Sequence, residues 1–127
     1  MACEKLCKAH LIRTGTSPQA LQASHGYIAG PLPVIIRQQI IHMRPNLEGM
    51  AGLLTQVRHL ANEIEVLNPS VDRGGQRPDY CEYPWEAGEK VLSPLDQTFN
   101  PSRLCVAPGG RTFLKLLRNA IDRILNE

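Results

Sequence analysis

Residues 34–67 read VIIRQQIIHMRPNLEGMAGLLTQVRHLANEIEVL, with apolar side chains at Ile36, Ile40, Met43, Leu47, Met50, Leu53, Val57, Leu60, Ile64 and Leu67. Steps of three and four place these positions on one stripe of a helical surface. After Leu53 the steps alternate as four, three, four, three, the seam spacing of a bundle or short coiled coil. Pro45 interrupts the run, because proline has no amide hydrogen and drives Arg44 out of the α region. The stretch therefore predicts two helices, 33–43 and 46–67, whose stripes face one core. A single kinked helix is the competing reading. Gly49 and Gly52 cost about 0.8–1 kcal/mol each inside a helix, which predicts either close approach by another helix or a frayed first turn.

Working outward from this stretch, a chain of 127 residues predicts one domain, 1–127, able to bury a core without staples. Aromatic residues make up 5% of the chain, so the core must be mainly aliphatic. Helix-on-helix packing suits that set. The first residues, MACEKLCKAHLIR, hold no apolar run of signal-peptide length, and no window approaches a membrane span. A cytoplasmic protein is expected, with Cys3, Cys7, Cys81 and Cys105 as free thiols.

Residues 2–13 place Cys3, Leu6, Cys7, His10 and Leu11 on one side of a short amphipathic helix. Ser17 and Pro18 read as an N-cap followed by proline at the first helical position, opening a short helix over 18–24. Residues 27–29 are too short for an element and suit a crossing over the end of the long helix. Residues 68–110 contain six of the ten prolines and the only tryptophan, with no sustained periodicity. This irregular segment is expected to lie on the helices through Tyr80, Tyr83 and Trp85, with a helical turn near 84–90 and a mobile tip at 71–78. The last residues, RTFLKLLRNAIDRILNE, place Phe113, Leu116, Leu117, Ala120, Ile121, Ile124 and Leu125 on one helical face. Thr112 is the expected N-cap there, with Lys115, Arg118, Asp122 and Arg123 solvated. The predicted fold is all-α, a bundle of about four helices with a long Pro-rich, aromatic-bearing loop before the C-terminal helix.

Charge is unevenly placed. Residues 1–45 carry five Lys/Arg against one acid, residues 46–100 four against nine, and residues 101–127 five against two. Basic ends and an acidic middle suit head-to-tail complementarity at least as well as a polyanion, which asks for a concentrated basic face. Arg37, Arg44 and Arg58 align with Lys115, Arg118 and Arg123 only if the helices pack with those faces adjacent.

Cys3, Cys7 and His10 share a helical face, yet structural zinc sites pair cysteines across a turn and need a matching second pair. Two small buried thiols are the simpler reading, so no metal is assigned. Glu63 and Glu65 are two apart on a helix and point in different directions. His42 and His59 read as boundary residues. The common phosphate, dinucleotide, hydrolase and zinc-protease signatures are missing, so no catalytic residue and no cofactor is assigned and an enzyme is not the expected reading. Gly110 and Arg111, at a glycine-rich helix start, are a possible anion contact.

The sequence thus predicts a small protein-binding adaptor, regulator or accessory subunit working through helical interfaces. Its expected interface is the seam of Met50, Leu53, Val57, Leu60, Ile64 and Leu67, joined by Leu117, Ile121 and Ile124 and closed by a second copy into a homodimer. The alternative is a nucleic-acid-associated regulator that contacts phosphates through its basic ends.

Overall fold

The computed structural model describes residues 2–22, 26–43, 48–65, 84–93, 106 and 108–126. Among these residues the fold is an all-α bundle. Its helices are α1 (Ala2–Arg13), α2 (Pro18–Gln22), α3 (Pro31–Met43), α4 (Met50–Glu65) and α5 (Pro108–Asn126), with a small hairpin of β1 (Trp85–Ala87) and β2 (Lys90–Leu92) between the last two. Leu67, Arg44, Tyr80, Tyr83, Cys81, Cys105 and the tip at 71–78 lie outside the described residues, as do the expectations that rest on them.

Local chemistry sets the helix ends. Gly15 adopts a φ of +100°, the left-handed conformation that glycine tolerates best. It lets the Thr16 and Gly15 amides donate back to the Leu11 and Ile12 carbonyls at 2.9 and 3.0 Å, a Schellman closure of α1. The Ala20 amide donates to Ser17 Oγ at 3.2 Å, so Ser17 caps α2 as its sequence position predicts. Gly49, with a φ of +80°, stands immediately before α4, and its carbonyl accepts the Leu53 amide at 3.1 Å. Helix α3 ends at Met43 and α4 begins at Met50, so the stretch holds two helices, and Pro45 itself lies outside the described residues.

Helix α3 is the centre of the bundle and touches α1, α4 and α5. Contact on three sides explains why its buried set, Leu32, Ile35, Ile36, Gln39 and Ile40, is wider than a seam. One core joins these residues to Cys3, Leu6 and Cys7 of α1, to Leu54, Val57, Leu60 and Ala61 of α4, and to Phe113, Leu116, Leu117 and Ala120 of α5. Helix α5 runs against α3: the Asn119 amide reaches Met43 Sδ at 3.2 Å, and Arg123 Nε donates to Gln39 Oε1 at 3.0 Å. That second bond satisfies the one buried polar residue among those described, Gln39.

Several local expectations need correction. The turn foreseen near 84–90 is the hairpin, in register Trp85 opposite Leu92 and Ala87 opposite Lys90. Gly88 supplies the positive φ, +66°, that a two-residue hairpin loop requires. Helix α5 starts at Pro108, so Thr112 is not its cap and instead donates its hydroxyl to the Pro108 carbonyl from inside the helix. The close helix approach is made by Gly109 and not by Gly52. A methyl group at Gly109 would run into the Gln56 side chain, whereas one at Gly52 would meet nothing within 4 Å. Leu125, placed by its spacing on the buried face, is 77% exposed at the last turn. Met43, assigned to the stripe, is also exposed, because α3 has reached its end there.

Candidate functional site

With Leu32, Ile35, Ile36, Gln39 and Ile40 turned inward, helical geometry leaves Val34, Arg37, Gln38 and Ile41 on the outer side of α3. Val34 and Ile41, one heptad apart, are 47% and 41% exposed. Along α4, Leu54, Arg58 and Asn62 follow at four-residue steps and form a single ridge. Between that ridge and the α3 row of Gly30, Pro33, Val34 and Arg37 runs an open groove of about 370 Å³. Its floor is apolar, from Pro33, Val34 and Leu54, and its rim is basic.

Glu65 fixes the two helices that form the groove. Its Oε1 accepts the Ile28 and Ala29 amides at 2.7 and 2.9 Å, tying the end of α4 to the segment that enters α3. The carboxylate thereby occupies the anion position ahead of a helix whose first turn holds two prolines and so has few donors of its own. Residues 27–29 do cross the end of α4, with Tyr27 and Ile28 buried. The Tyr27 hydroxyl and the Lys8 ammonium both donate to Glu4 Oε1, at 2.8 and 2.9 Å, and Lys8 sits 5.2 Å from the Tyr27 ring centre. Those two hydrogen bonds, Lys8 first, hold the Glu4 carboxyl below its usual range.

Arg37 and Arg58 are exposed, and among the described residues neither forms an ion pair. Glu65, on the same helix as Arg58, is committed to backbone amides. The structure thus brings together two members of the possible basic stripe. Arg123 leaves it, turning inward to Gln39, while Lys115 and Arg118 stay exposed on α5.

The seam residues occupy other places. Val57, Leu60 and Leu117 are 1%, 4% and 7% exposed, inside the core of this chain, and Met50, Leu53, Ile64, Ile121 and Ile124 pack partly buried against it. Phe113 and Gly110 close on Leu53, Val57 and Leu60 so tightly that about 10 Å³ of space remains, no more than a single water needs. Gly110 is buried in this contact while Arg111 is exposed, so the two do not form one surface.

Cys3 and Cys7 are buried in α1 as free thiols. Burial, then the neighbouring Cys3 and Glu65, pushes the Cys7 thiol up to about 12, so it stays protonated and poorly nucleophilic at neutral pH. His10 is held below its ordinary value by burial, then by Arg123 and Arg13. No group of three His, Cys, Asp or Glu among the described residues could hold a metal ion. Nor is any helix among them long and apolar enough to cross a membrane. His42 and His59 are exposed.

The groove was missed at the sequence level because Arg37 and Arg58 belong to separate helices and meet only through the rotation of α3 against α4. Their polar positions beside buried stripes were the only available signal. Comparison with protein-family models, curated proteins and solved structures finds no match to this chain.

Proposed function

We propose that this chain acts by binding protein, as a small adaptor, regulator or accessory subunit, and that the α3–α4 groove is its docking face. The supporting observation is the pairing of two exposed arginines, free of acidic partners among the described residues, with Pro33, Val34 and Leu54. Protein interfaces favour such a combination, since arginine supplies directed donors beside an apolar patch that binding removes from water. Ile41, one heptad beyond Val34, extends the exposed apolar surface along α3.

The seam foreseen from sequence is a weaker docking surface. Val57, Leu60 and Leu117 would have to leave the core to reach a partner. A self-associating form of this reading uses the outer face of α3. Val34→Asp combined with Ile41→Asp tests the reading. The variant is expected to keep its helicity, since both positions are exposed, and to lose the complexes that the parent chain forms in sedimentation and in affinity capture from its own cells. Identical complexes from both chains would remove the groove and the α3 face from consideration.

A further inference from the structure

We infer that the α3–α4 groove takes an acidic amphipathic peptide segment of a partner protein, one that sets carboxylates beside aliphatic side chains. This inference rests on the groove being a protein-docking face and adds the chemistry of what docks there.

The groove contains half of an ion-pair arrangement. Arg37 stands on one wall and Arg58 on the other, both exposed, and among the described residues no carboxylate lines the groove. Glu65, two turns after Arg58 on α4, has its Oε1 held by two backbone amides and would lose both on turning to Arg58. Guanidinium groups bind carboxylates through paired, directed donors, so a ligand with acids on either side of its apolar residues completes both walls. Exposed ion pairs contribute little by themselves. The apolar floor of Pro33, Val34 and Leu54 must therefore supply contact area, and a purely acidic chain would leave that floor wet. A polyanion is disfavoured for the same reason: the described lining holds two cations, which flank apolar side chains, and no aromatic residue on which bases would stack.

The test uses the full chain and fluorescence anisotropy with four labelled probes. They are a 14-residue peptide with Glu and Leu at helical spacing, the same peptide with Lys for Glu, the same with Ser for Leu, and a 20-nucleotide single strand. The Glu/Leu peptide is expected to bind the parent chain, and the Lys and Ser peptides to bind at least about tenfold more weakly. Arg37→Glu with Arg58→Glu should lose the Glu/Leu peptide by a similar factor and gain the Lys/Leu peptide. That exchange is a readout which damage to the fold does not produce, and unchanged helicity provides the control. The inference is overturned if the Glu and Lys peptides bind the parent alike, if the double variant keeps its affinity for the Glu/Leu peptide, or if no peptide saturates below about 1 mM, the weak end of useful affinity. It is also overturned if only the oligonucleotide binds, with the steep salt dependence of phosphate contacts. Failure here, with partner capture still sensitive to Val34→Asp and Ile41→Asp, removes the acidic ligand but leaves the docking face; insensitivity of capture removes both.

Discussion

Glu65 shows how one side chain sets the geometry of a surface it does not itself line. Its carboxylate takes two amides that would otherwise be orphaned ahead of a proline-containing helix start. Charge-assisted bonds of this kind contribute about 1.5–3 kcal/mol each when buried, so for a half-buried pair a total of about 1.5–3 kcal/mol is expected. Glu65→Ala should lower stability in urea by that amount and loosen the entry to α3, read as faster hydrogen exchange at the Ile28 and Ala29 amides. Unchanged exchange there would show that the bonds do not hold the segment. A second consequence at this scale concerns acid. His10 titrates below its ordinary value of 6.5 in the folded chain, so the unfolded chain binds the proton more readily. Its contribution to stability is complete above 6.5 and is lost as pH falls through the lowered folded value. Glu4, also lowered, adds a second loss, present above 4.5 and disappearing as pH falls through its own folded value. Urea midpoints measured from pH 7 to pH 3 should fall in two stages, and His10→Gln should flatten the first; a parent chain with no decline between pH 7 and 5 would contradict the assignment of His10.

Among the elements, α3 has most to lose. Ile36 is fully buried at the meeting of three helices, and a cavity left there has neighbours on every side that resist collapse. Ile36→Ala should cost about 2–5 kcal/mol, whereas Val34→Ala, two residues away on the outer face, should stay within about 0.5 kcal/mol. Comparable losses at the two positions would mean that the helix is rotated from the orientation described. Much of this was legible in the sequence where local chemistry and periodicity agree: Ser17 as a cap, the helical stripe through Ile36, Ile40, Val57 and Leu60, and the division of the stretch into two helices. It was less legible where tertiary contact overrides local preference. Pro108, Gly109 and Gly110 read as a stop signal, yet they form the first turn of α5, where Gly110 is buried against α4 beside Phe113. Arg123 reads as solvated until the inward turn of Gln39 gives it a partner. The hairpin was obscured because its strands are three residues each, too short for alternation to register, although the positive-φ Gly88 between them is a turn signal. The groove leaves only a faint signature in either helix taken alone, an arginine beside a buried stripe.

For the whole molecule, the decisive matter is where the α4 seam faces. A stripe of this width must be covered by something, and with the short N-terminal helices too small to do so, a second copy was the expected partner. The structure covers it from within: α3 and α5 both pack against α4, and the stripes of α3 and α4 share one core, as expected of two helices. Val57→Asp distinguishes these arrangements. At 1% exposure within the core, the introduced carboxylate would be desolvated without a partner, and the chain is expected to lose its helical circular dichroism and its cooperative melting at every concentration. Were the seam a surface between copies, the same variant would remain helical and merely sediment as a monomer. Val34→Asp supplies the opposite case, since its side chain stands beside Arg37 in the open groove and should leave the melt intact. A folded, monomeric Val57→Asp chain would place the seam on the outside and the core described here would be wrong; an unfolded one, beside a folded Val34→Asp chain, assigns α4's stripe to the interior.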